Sequence, residues 1–197
     1  TCDEAHQAEE LAGKQASLRV LDELRRDHAD LAGLADDQLQ ACLAVATEFT
    51  STRQFDEATA MLARAEALLP ELPADRDRHL TMLRRQQSRV LWEGGDRPGA
   101  VRRLEESVAA AVAWQATQPR AVQPRESLLC SLRDLGTCQN YVGAFDESSA
   151  AFRRAIATAE AMVEQFPEDP SRRISLCRVV REFAHVLWDR FRREDLP

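Results

Sequence analysis

The stretch Phe55-Asp56-Glu57-Ala58-Thr59-Ala60 returns as Phe145-Asp146-Glu147-Ser148-Ser149-Ala150, and Gly95-Asp96-Arg97-Pro98-Gly99-Ala100 occupies the corresponding turn between them. An internal echo of this kind is the mark of a repeat architecture, in which each unit buries its apolar face only by stacking on its neighbours. The units recur at roughly 42 to 48 residues and each reads as two helices, so the echo predicts an α-solenoid.

Residues 4–28 read as one helix with Leu11, Leu18, Leu21 and Leu24 on a common side. Asp36 or Asp37 is placed to cap the next helix, which carries Leu39, Leu43 and Phe49. A turn at Ser51–Arg53 leads to a helix with Phe55, Ala58, Leu62 and Ala65. That helix ends at Pro70 and Pro73, because proline disfavours helix in the residue before it. Residues 75–93 form a helix, Gly94–Gly95 a turn, and Pro98 opens a further helix, where its missing N–H costs nothing. Helices over 125–142 and from Phe145 to before Pro167 follow. Beyond Pro170 comes a final amphipathic helix with Ile174, Cys177, Val180, Phe183 and Leu187. The expected fold is all-α, a right-handed solenoid of about eight helices in antiparallel pairs. Residues 1–35 stand as an unassigned N-terminal helix, and residues 36–197 form the array, closed by its last helix as a cap.

The spelling of the units resembles the tetratricopeptide repeat family, in a bacterial form with extended second helices. In that 34-residue unit, large residues stand at positions 4, 7, 11 and 24 and small ones at 8, 20 and 27, so that two helices approach closely and the gaps are filled. Val45, Ala46, Phe49, Ala58, Leu62, Ala65 and Pro70 fill the pattern in the first unit. The middle unit matches at Ser88, Leu91, Gly95, Ala100 and Leu104 and departs at Gln87. The third matches at Leu135, Gly136, Gly143, Phe152 and Ala155 and departs at Gln139. The resemblance spans about residues 38–194.

Composition bounds the function. The chain has 197 residues, a formal charge of -7 and 44% hydrophobic residues, which is globular rather than disordered. With 7 Gly and 8 Pro it lacks the turns a β-rich fold needs, and no apolar run is long enough to span a membrane. Residues 1–60 carry 13 acidic and 5 basic side chains; residues 171–197 carry 7 Arg against 4 acids. The basic end is the side expected to meet an anionic partner. A single basic helix on an acidic protein reads as a solvated face, so neither nucleic acid nor a membrane is expected as partner. Lysine occurs once, at Lys14, which points to a GC-rich bacterial genome, and no signal peptide is visible, so the expected location is cytoplasmic.

Catalytic signatures are missing: the chain has no P-loop, no H-E-x-x-H, no G-x-S-x-G and no dinucleotide glycine cluster. The five cysteines (Cys2, Cys42, Cys130, Cys138 and Cys177) form no C-x-x-C and read as small buried thiols, and the four histidines are scattered. No metal and no cofactor are expected, and the chain is not expected to be an enzyme.

The tetratricopeptide resemblance implies that positions 2, 5, 9 and 12 of each first helix point into a concave groove. In the first unit these are Gln40, Leu43, Thr47 and Thr50. The later units supply the candidate ligand-binding residues, namely Arg85, Arg89 and Trp92, then Arg133, Thr137 and Asn140, then Arg181, His185 and Trp188, with Met82, Cys130 and Arg178 beside them. Arginine forks bind carboxylates in bidentate fashion and tryptophan adds apolar area. The implied function is binding a protein or peptide, with acidic side chains or a free C-terminus. The family's carboxylate clamp is resembled only loosely, by Arg133 and Asn140. Three other readings stand beside it. One is self-assembly of the acidic start with the basic end. Another is a regulatory or sensor module of a larger bacterial signalling protein, and the last is a helical enzyme. The same arginines also fit a solvated face, since 25 of the basic residues are Arg.

Overall fold

Gly143 adopts φ +85°, a left-handed conformation that a Cβ would strain, and it reverses the chain between two long helices. The computed structural model describes residues 2–28, 31 and 33–194, with side chains between residues 8 and 192. The helices are α1 (Cys2–Asp27), α2 (Leu34–Ser51), α3 (Phe55–Leu68), α4 (Arg76–Glu93), α5 (Arg97–Thr117), α6 (Val122–Tyr141), α7 (Phe145–Gln165) and α8 (Pro170–Glu194), with a 3-10 turn at Leu69–Glu71. No strand occurs among the described residues. The chain forms two compact units, Thr1–Asp96 and Arg97–Pro197.

In the first unit α2 and α3 pair through small residues: Ala58 and Ala65 are fully buried, and Leu39, Val45 and Leu62 fill the space around them. Helix α1 runs antiparallel to α2, with Lys14 on Glu48 near one end and Arg25 on Gln38 near the other. It therefore belongs to the same packed body as α2. Helix α4 runs antiparallel to α3, where Arg84 and Gln87 both hold Glu66, and places His79 beside Asp36 of α2. The expected cap at Asp36 or Asp37 is not the one formed. Gly33, at φ +86°, occupies the cap position of α2, and the two acids lie in the first turn, where the helix dipole favours them.

In the second unit α6 is the central helix. It meets α5 through a buried hydroxyl pair, Ser107 Oγ to Ser131 Oγ at 2.9 Å. It meets α7 where Gly136 lies against the ring of Phe152, and Ser148 Oγ donates to the Gly136 carbonyl at 2.7 Å. Helix α8 packs on α7 through Phe183, stacked on Phe152 at 5.7 Å, and runs parallel to α6. Helices α5 and α7 have 21 residues against 14 in α3, an extension of about two turns. Trp114, in the extended part of α5, is buried packing.

The final helix departs from the expected apolar face. Val179 and Val186 are the buried residues, with Leu176 and Phe183 beside them, whereas Ile174, Cys177, Val180 and Leu187 are exposed. The helix carries two apolar sides, and α7 covers only one.

Candidate functional site

In the second unit the candidate residues divide between α6 and α8. Residues 130, 133, 137 and 140 follow each other at three- and four-residue steps and so share one side of α6. Arg133 is half-buried and held in a fork by Glu182: its Nε donates to Oε2 at 2.7 Å and its Nη2 donates to Oε1. That pairing, more than the opposing desolvation, holds the guanidinium charged and raises its pKa further above the ordinary value. Asn140 is buried, and its Nδ2 donates to Asp189 Oδ2 at 3.2 Å, while its Oδ1 has no hydrogen-bond partner in the structure. Thr137 is exposed between them.

Both acids come from α8, so Arg133 and Asn140 are joined to that helix and are not free to meet a ligand. No local signal in α6 announces this, because the partner acids lie on another helix far along the chain. The remaining α8 candidates are presented openly. Arg181, His185 and Trp188 are exposed on the side of α8 that adjoins its contact with α6, and Arg178 is exposed with them. Trp188 is 58% exposed and stacks on Phe191 at 6.1 Å. Arg178 and Arg181 make no ion pair among the described residues.

In the first unit Arg85, Arg89 and Trp92 share one side of α4. Arg89 is exposed, and Arg85 and Trp92 are half-buried. On α2 the implied groove positions are less available. Leu43 and Thr50 are buried, and the hydroxyls of Thr47 and Thr50 return to the carbonyls of Leu43 and Ala46 at 2.9 and 2.7 Å.

Sequence reasoning missed one feature of this unit. An open pocket of about 530 Å³ lies between α1, α2 and α3, with Asp22, Arg25, Arg26, Gln38, Arg64 and Glu71 on its walls. Its charges answer one another. Arg64 pairs with Asp22, Arg25 pairs with Glu71, and Gln38 both accepts from Arg25 at 2.6 Å and donates to Asp22 at 3.0 Å. The residues come from three helices, so no spacing in the chain could have shown them together.

The four cysteines with described side chains are free: Cys42 is buried, Cys130 and Cys138 are half-buried, and Cys177 is exposed on α8, while the side chain of Cys2 lies outside the described residues. The expectation of buried thiols therefore fails at Cys177, which lies on the uncovered side of its helix. Burial, with the Asp134 carboxylate beside it, pushes the Cys138 thiol up to about 12. Among the described residues, no group of three His, Cys, Asp or Glu is placed to hold a metal ion, and no helix is long and apolar enough to cross a membrane.

No family model matches the chain, and no curated protein matches it. The crystal structure of BtubC (BKLC) from P. vanneervenii is similar, with a TM-score of 0.64 at 10% identity, over 91% of this chain and 73% of that one. The fold is a tetratricopeptide-like array of helical repeats. A kinesin-light-chain protein of Podosopora anserina with nearly identical TPR-like repeats aligns over 93% of this chain and 92% of that one, at 16% identity and a TM-score of 0.49. At such identities the likeness concerns the fold alone, and what the TPR-like array binds must come from its own side chains.

Proposed function

We propose that this TPR-like array is a non-catalytic interaction module that binds a protein or peptide through the exposed side of its first helices, with acidic groups on the ligand. The observation that carries the reading is the open side of α8, where Arg178, Arg181 and His185 stand around Trp188 with no acid paired to either arginine among the described residues. An unpaired guanidinium fork offers bidentate hydrogen bonds to a carboxylate, and an exposed indole supplies the apolar anchor beside it. Arg133 and Asn140 serve the module by fixing α8 against α6, and so set the stage for that surface without contacting ligand. Arg85, Arg89 and Trp92 give the first unit a surface of the same chemical kind.

The test is a pull-down from the native host with wild type, an Arg178→Glu/Arg181→Glu variant and an Arg89→Glu variant, all of equal helicity. A partner held by wild type and lost by the α8 variant, with binding that weakens as salt rises, supports the reading. Equal recovery by wild type and the α8 variant overturns the arginine surface. Arg133→Glu is unsuitable as a probe, because it would set two acids against each other across the α6 and α8 contact.

A further inference from the structure

We infer that the array associates head to tail with a second copy of itself, α8 of one chain pairing with α1 of the next as the two halves of a helical hairpin. On α6, Leu129, Leu132, Gly136 and Gln139 are buried, and Gly136 is the residue that meets α7. One repeat further on, the same positions of α8 are Cys177, Val180, Ala184 and Leu187, and all four are exposed, Val180 at 46% and Leu187 at 44%. Phe191, 58% exposed, continues this side. Helix α8 is thus a first helix whose pairing face, complete with the small residue that permits close approach, carries no second helix among the described residues.

Helix α1 has the converse position. It contacts α2 as α3 contacts α4 and α7 contacts α8, antiparallel and through the following first helix, and it lies beside α3 through Asp22 and Arg64. It is a second helix by placement. The side of α1 turned away from α2 presents Gly13, Ala16, Val20 and Leu24, with Val20 55% and Leu24 38% exposed. Small and branched apolar residues at three- and four-residue steps are what the pairing face of a second helix needs, as Ala58, Leu62 and Ala65 show on α3.

Charge selects the pairing. The uncovered side of α8 is bordered by exposed Arg173, Arg181 and Arg192, whereas that of α1 carries exposed Glu9, Glu23 and Asp27 with Arg19 at its edge against them. Two α8 faces would repel, as would two α1 faces, and α8 with α1 brings opposite signs together. The contact is heterologous, so it continues from copy to copy unless a ring closes.

The test uses sedimentation of the 197-residue chain over a wide concentration range, with two variants, Val180→Glu/Leu187→Glu on α8 and Val20→Arg/Leu24→Arg on α1. Wild type is expected to show a mass that climbs with concentration above the 22.1 kDa chain, and each variant to associate at least about tenfold more weakly. The decisive arm mixes the two variants: each retains one intact face, so the mixture should form a one-to-one dimer and stop there. A wild type that stays monomeric overturns the inference. So does an α1 variant that associates like wild type, or a mixture that fails to form the dimer. Should either double variant lose helicity, Leu187→Ser and Val20→Ser, at exposed positions, carry the same comparison.

Discussion

A Cβ built on Gly136 of α6 would lie 2.6 Å from the ring of Phe152 on α7. The ring cannot retreat cheaply, because it is fully buried and stacked on Phe183. Gly136→Ala should therefore strain the α6–α7 contact by about 1–3 kcal/mol, offset in part by about 1 kcal/mol of helix propensity. The expected outcome is a net loss of about 1 kcal/mol in unfolding free energy, read as a lower urea midpoint; a gain in stability would show that the two helices separate easily.

The Arg133–Glu182 fork ties α8 to α6 with side chains only 21% and 27% exposed. Arg133→Gln should cost about 2 kcal/mol, since it leaves a largely sheltered carboxylate with a weaker partner. A double-mutant cycle with Glu182→Gln should return a coupling of about 1 kcal/mol or more; additivity of the two losses would show that the pair is decorative. If this pair positions the open α8 surface, Arg133→Gln should also weaken ligand binding less than Arg178→Glu/Arg181→Glu does.

His79 should make the protein sensitive to mild acid. Its ring is fully buried, with Nε2 3.2 Å from Asp36 Oδ1 but no aligned hydrogen bond at either nitrogen. Burial lowers its pKa below the ordinary 6.5, Asp36 opposing the shift, Arg78 adding to it and Asp75 opposing it. The folded state then binds its proton less readily than the unfolded chain. The stability tied to the neutral ring is complete above 6.5 and is lost as pH falls below that value. Urea midpoints should drop on acidification through this window, and His79→Leu should flatten the dependence; an unchanged slope in the variant would assign the acid sensitivity to the carboxylates.

Thiol reactivity should follow exposure. Cys177 is open on α8, Cys42 is buried, and the Cys138 thiol is pushed up to about 12, so little thiolate forms there near neutral pH. Timed alkylation read by mass spectrometry should modify Cys177 well before Cys42 and Cys138. Head-to-tail association, which covers Cys177, should slow its labelling as protein concentration rises.

The helices, their order and their repeat are legible in the chain alone. Proline and glycine break the chain where the backbone demands it, and small residues such as Ala58, Ala65 and Gly136 recur at the spacing that lets helices pair. Those are local or periodic signals, and they survive without coordinates. Tertiary structure decided which polar residues are free. Arg133 and Arg181 look alike in sequence, one repeat apart on one expected face, yet Arg133 is bound by Glu182 and Arg181 is open. The same holds for the apolar sides of α8, where Val179 is buried and adjacent Val180 is exposed. An ion pair or a buried face depends on what a different helix brings to that point in space, and the pattern within one helix cannot hold that information.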